Sequence, residues 1–506
     1  MVARMPQAIH LDHRLLERAR LSRDARFDGR FFIAVTSTGI YCRPVCPASP
    51  SPKRANVRYF PSAAAAAEAG FRPCLRCRPE AAPGTPAWSG TSAAVRRALR
   101  LIQEGALDES SVESLAARVG LGPRHLHRLF VQHLGASAGA VAMTRRLQFA
   151  KHLIDDTSLS MTHVALAAGF GSLRRFNDAL RKAYGRPPRE LRTRTANTAA
   201  RNADEIVLKL AYRPPYDWKH VHGFLAARAV AGIEHVDRRG YARTIGLDHG
   251  HALVHVRPVP DRHELELTVR GASPKSLLQV ASAARRVFDL GADPALIAAT
   301  LKSDPLLGPL VRKRPGLRVP GVWEPFECAV RAIAGQQVTV AAGRTLVARI
   351  VARAGRRIGP DGEALTHLFP SPHELAAADL EGFGIPAARI AALKALARAV
   401  ADRRIDLGGD PDQVVAALAE LPGIGSWTAQ YIALRALGEP DAFPAADIVL
   451  RRMAASRVAM VPTRDLARRA EAWRPWRSYA VLYLWQAATD GASRLKRTDE
   501  PGGSLT

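Results

Sequence analysis

At 506 residues the chain is too long for one ordinary hydrophobic core, and its length predicts about three or four domains. Apolar residues make up 47% of it, enough to bury sizeable cores, which excludes a disordered tail. A formal charge of +27 favours a polyanionic partner, although a surface rich in arginine accounts for it equally well, and five cysteines are too few for a secreted disulfide scaffold.

The N-terminal "MVARMPQAIHLDHRLLERAR" lacks the apolar centre of a signal peptide. No run of about 20 uninterrupted apolar residues follows, so no membrane span is expected. The expected compartment is a reducing cytoplasm, where clustered cysteines bind metal or do chemistry. "RFFIAVTSTGIYC" reads as a strand ending in a turn, and "SAAAAAEAG" as a short helix. Cys42 and Cys46 are separated by three residues, Cys74 and Cys77 by two. Two short-spaced pairs converging on one ion predict a tetrahedral four-cysteine zinc site. A purely structural staple is the favoured reading by base rate. Arg43, Arg72, Arg76 and Arg78 lie close by in sequence, however, and a metal-held thiolate is a nucleophile.

"TSTGIYCRPVC" with "EAGFRPCLRCRPE" resembles the N-terminal domain of the bacterial Ada-type adaptive-response regulators, over roughly residues 10–80. The resemblance implies one Zn²⁺ on Cys42, Cys46, Cys74 and Cys77. It also implies that Cys42 accepts a methyl group irreversibly from a methylphosphotriester in DNA, and that Thr38, Arg72 and Arg76 approach the phosphate. Ser49 departs from the pattern, standing where an arginine is expected.

"PEAAPGTPAWSGTS" (79–92) reads as a linker, as do 192–205, and the tail 498–506 as frayed. Between the first two, "LAARVGLGPRHLHRLFVQHLG" is echoed by "ALAAGFGSLRRFNDALRKAYG", each a helix, a glycine turn and a second helix. Residues 112–191 resemble the AraC-type DNA-binding domain. Recognition helices are expected near 123–133 and 172–184, with Arg124, His125, His127, Arg174 and Arg175 facing DNA. Asp178 in the second copy stands where Arg128 stands in the first, so the two half-sites should differ.

From about 206 to 290 the chain is expected to be β-rich, because "HALVHVRPV" and "HELELTVRG" alternate as half-buried strands do. From about 322 onward it should be helical. "LPGIG" (421–425) reads as a tight turn between helices in which Gly423 and Gly425 turn backbone N–H groups outward to a phosphate. The stretch "LPGIGSWTAQYIALRALGEPDAFPAADIVLRR" resembles the helix-hairpin-helix signature of base-excision glycosylases. Residues 206–490 resemble the AlkA-like 3-methyladenine DNA glycosylases nearly end to end. The resemblance places the catalytic carboxylate on Asp447 rather than Asp441, and the base pocket on Trp427, Tyr431 and Trp485. An N-cap role for Asp447 is compatible with this. Trp427 stands where lyase members carry a lysine, which implies a monofunctional enzyme. Gln337, in "GQQV", stands at the wedge position where the family has an apolar side chain. A monovalent cation on the hairpin carbonyls is a further implication. Cys328 reads as a buried lone thiol.

The expected architecture is multidomain and mostly α with α+β parts. It comprises a zinc domain (1–80), a paired helix-turn-helix domain (92–191), an antiparallel sheet subdomain (206–310) and a helical glycosylase domain (311–495). The expected function is alkylated-purine excision joined to a methyl-triggered transcription switch. Its partners would be double-stranded, alkylated and promoter DNA, with RNA polymerase a further candidate, and the chain would act as a nucleoid-associated monomer. Three rivals stay open: a regulator whose C-terminal half binds DNA without catalysis, a repair enzyme whose N-terminal half only tethers it, and a zinc-dependent RNA-binding module.

Overall fold

The computed structural model describes residues 13–83, 93–192, 205–248, 250–359, 363–382, 384–455 and 460–498. Most of the expected linkers (84–92 of the first, 193–204 of the second) and most of the tail (499–506) lie outside the described residues. Two compact units form. The first comprises Met1–Pro214, Ile233–Asp293 and Asp361–Leu368, and the second the remainder.

The first unit begins with a small sheet of order β3-β1-β2-β4. Its strands are β1 (Phe32–Val35), β2 (Ile40–Cys42), β3 (Val57–Phe60) and β4 (Arg72–Pro73). The run read as one strand ending in a turn is a two-stranded hairpin. Gly39, at φ +66°, takes the left-handed corner and its N–H closes on the Val35 carbonyl at 2.9 Å. β1 pairs antiparallel with β2 and β3, whereas β4 runs parallel to β2. The expected helix forms over Ala63–Glu68, capped by Ser62.

The repeat folds as two copies of one motif. Helices Val112–Arg118 and Pro123–Leu134 make the first, and Met161–Ala167 and Leu173–Tyr184 the second. The helix Ala138–Asp156 joins them. In each second helix the apolar residues fall four apart, Leu126 with Phe130 and Phe176 with Leu180, and all four are buried. Gly169 turns the second motif at φ +82°, and a Cβ there would run into the Asp108 carboxylate. Asp108 in turn holds Arg145 and Arg146. Gly169→Ala is therefore expected to cost about 2–4 kcal/mol, since left-handed backbone and a displaced ion pair add. Urea unfolding of the full chain would read this as a lowered midpoint.

A five-stranded antiparallel sheet completes this unit, in the order β5-β9-β8-β7-β6. Its strands are β5 (Glu205–Ala211), β6 (Glu234–Asp237), β7 (Gly240–Gly246), β8 (His251–Pro258) and β9 (Glu264–Arg270). The alternation read in the sequence is the observed burial: Ala252, Val254 and Val256 of β8 and Leu265, Leu267 and Val269 of β9 all point inward. The segment is less uniformly β than its composition implies, for helices Trp218–Arg228 and Leu277–Val287 interrupt and follow the strands.

The second unit is helical among the described residues. Helices Pro411–Ala419 and Ser426–Arg435 form the hairpin, and helices Ile448–Met453 and Arg477–Thr498 complete the site. Gly316, at φ +85°, lets "RPGLR" close on the backbone of Pro215, since a Cβ would stand 2.5 Å from its carbonyl. This close approach seats the helix Trp218–Arg228, whose side chains matter below.

Candidate functional sites: a thiol quartet and an aromatic cleft

The first site is assembled by strand pairing. Cys42 ends β2, and Cys46 follows one turn later, its N–H bonded to the Arg43 carbonyl at 3.1 Å. Parallel pairing of β4 carries Cys74 alongside, with its N–H on the Tyr41 carbonyl at 3.0 Å. The Arg78 N–H then bonds the Cys74 carbonyl at 3.2 Å and folds Cys77 back. All four Sγ atoms lie within 4.8 Å of one another. Zn–S bonds of about 2.3 Å in a tetrahedron need sulfurs about 3.8 Å apart, so the quartet fits that ion.

The electrostatics agree. Hydrogen bonding to Cys42 holds the Cys46 thiol down to about 7 and the Cys74 thiol far lower. Cys42, bonded to Cys46, and Cys77, bonded to Cys42, are pushed well above the ordinary thiol range. Four sulfurs this close cannot all ionise unless a cation lies among them. Cys74 and Cys77 are buried, whereas Cys42 and Cys46 are only partly so. Attack from outside is therefore open to the first pair alone.

The neighbouring arginines divide. Arg72 and Arg76 are exposed, as is Thr38 in the hairpin turn, and so is Ser49. The Arg72 guanidinium lies beside Gly185, at the end of the second recognition helix. Arg43 turns inward to Asp28, and its backbone N–H meets Cys77 Sγ at 3.3 Å. Arg78 reaches Asp155 and Asp156 on the helix Ala138–Asp156, at 3.0 Å each. Glu80 faces Lys151 of the same helix at 3.7 Å. Sequence proximity alone does not separate these four arginines, because their partners are distant in the chain.

On the two recognition helices Arg124, His125, His127, Arg128, Arg174, Arg175 and Asp178 are all exposed, opposite the buried positions. The fold thus presents the faces that the repeat predicts.

The second site stands on three helices. Trp427 and Tyr431, four apart on Ser426–Arg435, stack at 5.4 Å between centroids and 15° between planes. Trp485 tilts onto Tyr431 at 6.1 Å. Asp447 caps the helix Ile448–Met453, its Oδ1 accepting the Leu450 N–H at 2.9 Å. The indole N–H of Trp427 donates to Oδ2 at 2.8 Å, and that of Trp485 to Oδ1 at 3.2 Å. Three N–H donors thus fix the plane of the carboxylate. Asp441 is instead held by Arg474 and Arg477.

Residues that the sequence analysis did not single out pack beside the aromatic cluster. Arg435 donates to the Tyr431 hydroxyl at 3.1 Å. Its guanidinium also lies 4.5 Å from the Phe224 ring centre, and that of Arg228 lies 3.7 Å from the same ring. Burial pulls the Arg228 guanidinium below its usual range. Cys328 is buried, and burial pushes its thiol up to about 11.

The hairpin places Gly423 at φ +79° and Gly425 as the cap of the next helix, both exposed. Gln336 ties this turn to the "GQQV" segment: its Nε2 donates to the Gly423 carbonyl at 2.9 Å and to Thr428 Oγ1 at 3.0 Å. Gln337, next along, is exposed and held at φ +56°, a conformation that costs a non-glycine residue about 1–3 kcal/mol.

The chain matches four family profiles in succession. They are the metal binding domain of Ada (16–80), a helix-turn-helix domain (115–194), the AlkA N-terminal domain (207–324) and the HhH-GPD superfamily base excision DNA repair protein (330–478). Together these define a DNA-binding regulator with a metal-binding domain, joined to a base-excision repair fold. A Mycobacterium tuberculosis (strain CDC 1551 / Oshkosh) protein named "probable bifunctional transcriptional activator/DNA repair enzyme AlkA" is 43% identical over 482 residues, which is 94% of this chain and 97% of that one. The chain belongs to this family of fused Ada-type regulators and AlkA-type glycosylases. The two halves also match separate proteins. DNA-3-methyladenine glycosylase 2 of Escherichia coli (strain K12) is 37% identical over 54% of this chain and 95% of its own length. The bifunctional transcriptional activator/DNA repair enzyme AdaA of Bacillus subtilis (strain 168) is 32% identical over 34% of this chain and 80% of its own.

Proposed function

We propose that the chain excises 3-methyladenine and other alkylated purines from DNA, and separately takes up one methyl group on Cys42 to switch its own binding to promoter DNA. The observation that carries the first part is the Asp447 carboxylate, held by two indole N–H groups within a stack of aromatic rings. An N-alkylated purine is cationic, so its glycosidic bond is already weak. Stacking and cation–π attraction at Trp427, Tyr431 and Trp485 hold such a ring once it is flipped out. The C1′–N bond then breaks, its electron pair leaves with the base, and the neutralised purine departs. Positive charge develops on the sugar, and Asp447 stabilises it until water adds at C1′ and gives up one proton to solvent. With Trp427 in place of a lysine, no amine forms a covalent link to the sugar, and an intact abasic site remains.

Gly423 and Gly425 would hold a backbone phosphate, and Gln337 would fill the gap left by the flipped base. Its positive φ supports the wedge role, since strain of this kind collects at functional sites. Gln337→Gly is expected to relieve the strain yet lower kcat/KM for base release by about tenfold, or about 1.4 kcal/mol. A single-turnover assay on duplex DNA would read the loss, and a lesion presented in single-stranded DNA should lessen it. A monovalent cation on the hairpin carbonyls belongs to the same reading, although the Gly423 carbonyl already accepts Gln336.

In the N-terminal part, Cys42, Cys46, Cys74 and Cys77 would hold Zn²⁺, which keeps the sulfurs deprotonated at neutral pH. The Cys42 sulfur attacks the methyl carbon of a methylphosphotriester. An S–C bond forms, the O–CH₃ bond breaks, and the electron pair stays on the phosphate oxygen. The site loses one negative charge and repels DNA less. Thr38, Arg72 and Arg76 would receive the phosphate, while Arg124, His125, Arg174 and Arg175 read the promoter. RNA polymerase as protein partner, a monomeric state and a cytoplasmic, nucleoid-associated location complete the reading. No helix among the described residues is long and apolar enough to cross a membrane.

The test is incubation with N-methyl-N-nitrosourea-treated duplex DNA, measuring released bases and protein-bound methyl in one tube. Release of no base removes the glycosylase, and a chain carrying no methyl removes the acceptor.

A further inference from the structure

The thiol quartet is supported from a second direction, which its own domain does not supply. Arg213, just beyond β5, is fully buried at 0% exposure. Its Nε donates to the Asp28 carbonyl at 2.8 Å and its Nη1 to the Gly291 carbonyl at 3.1 Å. Beside it, Arg30 pairs with Asp293 at 3.1 Å, their side chains 8% and 0% exposed. Asp28 is itself buried, and its Oδ1 accepts the Arg43 Nε at 2.9 Å. Arg43 then donates its backbone N–H to Cys77 Sγ at 3.3 Å and its Nη1 to the Cys77 carbonyl at 3.1 Å. Only Asp28 and Arg43 stand between Arg213 and a sulfur of the quartet.

Arg213 and Asp293 belong to the sheet portion of the first unit, and Asp28 and Arg30 to the segment entering β1. Domains that part in solution carry solvated charges on the faces they expose. Here a guanidinium, a carboxylate and an ion pair are removed from water between the two parts. Burial of these charges is tolerated because each meets a partner, and the Arg213–Asp28 and Arg30–Asp293 contacts cross between the two parts, which marks them as one packed body.

We propose that the five-stranded sheet is a built-in docking partner of the metal-binding domain, and that Arg213 and Asp293 are positioning residues that hold the thiol quartet in shape through Asp28, Arg43 and Arg30. The inference rests on the quartet holding a metal ion, and on no catalytic activity of the chain.

The experiment uses the full-length zinc-loaded chain and three variants: Arg213→Met, Asp293→Asn, and the double Arg30→Met/Asp293→Leu. Zinc release to a chromophoric chelator and amide hydrogen exchange over residues 24–35 are measured in parallel. Each single variant should release zinc roughly tenfold faster and lose exchange protection over that segment, because Arg213→Met leaves the Asp28 and Gly291 carbonyls without this donor and Asp293→Asn leaves buried Arg30 without its counter-ion. The double variant removes both charges of the ion pair and should return to within about twofold of wild type. That rescue separates positioning from general instability. Singles that release zinc and exchange as wild type does overturn the proposal. If a single variant fails to fold, a double variant that releases zinc about tenfold faster than wild type also overturns it. A wild-type chain that takes up no zinc defeats the metal reading instead, and the exchange data then decide the docking alone.

Discussion

Asp447→Asn should leave a chain that folds, binds alkylated DNA and releases essentially no base, a fall of at least about a thousandfold in kcat. Asparagine caps a helix as well as aspartate does, so the Leu450 N–H keeps an acceptor and the helix Ile448–Met453 keeps its start. Two things are lost. The negative charge opposite the developing sugar cation disappears, and a single amide oxygen cannot serve both indole donors. One of the N–H groups of Trp427 and Trp485 would then face an amide NH₂. That mismatch should lower stability by about 1–2 kcal/mol, too little to unfold the chain and far too little to explain the loss of rate. Asp441→Asn is the matched control. Its carboxylate is committed to Arg474 and Arg477, so base release should hold near wild type once folding is corrected for. If Asp447→Asn retains activity, another group carries the catalysis. A wild type that releases no base would instead make the C-terminal half a DNA-binding regulator.

Cys42→Ser should abolish protein-bound methyl while sparing base release. The wild-type chain is expected to carry one methyl per molecule, mapped by peptide mass to Cys42 rather than to Cys74 or Cys77, which are buried. Serine keeps the backbone pairing of β1 and β2 but is a poor zinc ligand, so the variant should also lose metal more readily. The affinity of wild-type protein for its promoter should rise several-fold after methyl uptake, because one negative charge has left the surface facing DNA. The variant should show no such rise. Methyl found on Cys46 would move the acceptor by one turn and leave the chemistry intact. Methyl found nowhere would reduce the quartet to a structural staple.

Much of this was legible because the relevant signals are local. Cys42 and Cys46 fall one turn apart, and the glycine turns recur at matching places in the two motifs. The inward residues of β8 and β9 alternate as written, and Asp447 sits where "DIVLRR" begins. What stayed hidden was carried by contacts between distant residues. The indole donors to Asp447 lie 20 and 38 residues away. Arg43 and Arg78 look alike beside the cysteines, yet one turns to Asp28 and the other to Asp155 and Asp156. Phe224 and Arg228 fall in a stretch expected to be β-rich, and only the fold places them on a helix, which follows the close approach of Gly316 to Pro215. The strand expected over "RFFIAVTSTGIYC" is two, because the turn at residues 36–39 folds the chain back and Ile40–Cys42 pairs with β1 instead of ending the strand.

The helix Ala138–Asp156 joins the two reading motifs as a single strut of 19 residues, about 28 Å long at 1.5 Å per residue. Such a strut does not stretch. The phase between the two heads on the double helix is set by the protein, and the operator must conform. Five base pairs inserted between the half-sites would turn one of them to the opposite side of the duplex, where a rigid reader gains nothing from it. A full turn of inserted DNA would restore the facing but not the reach.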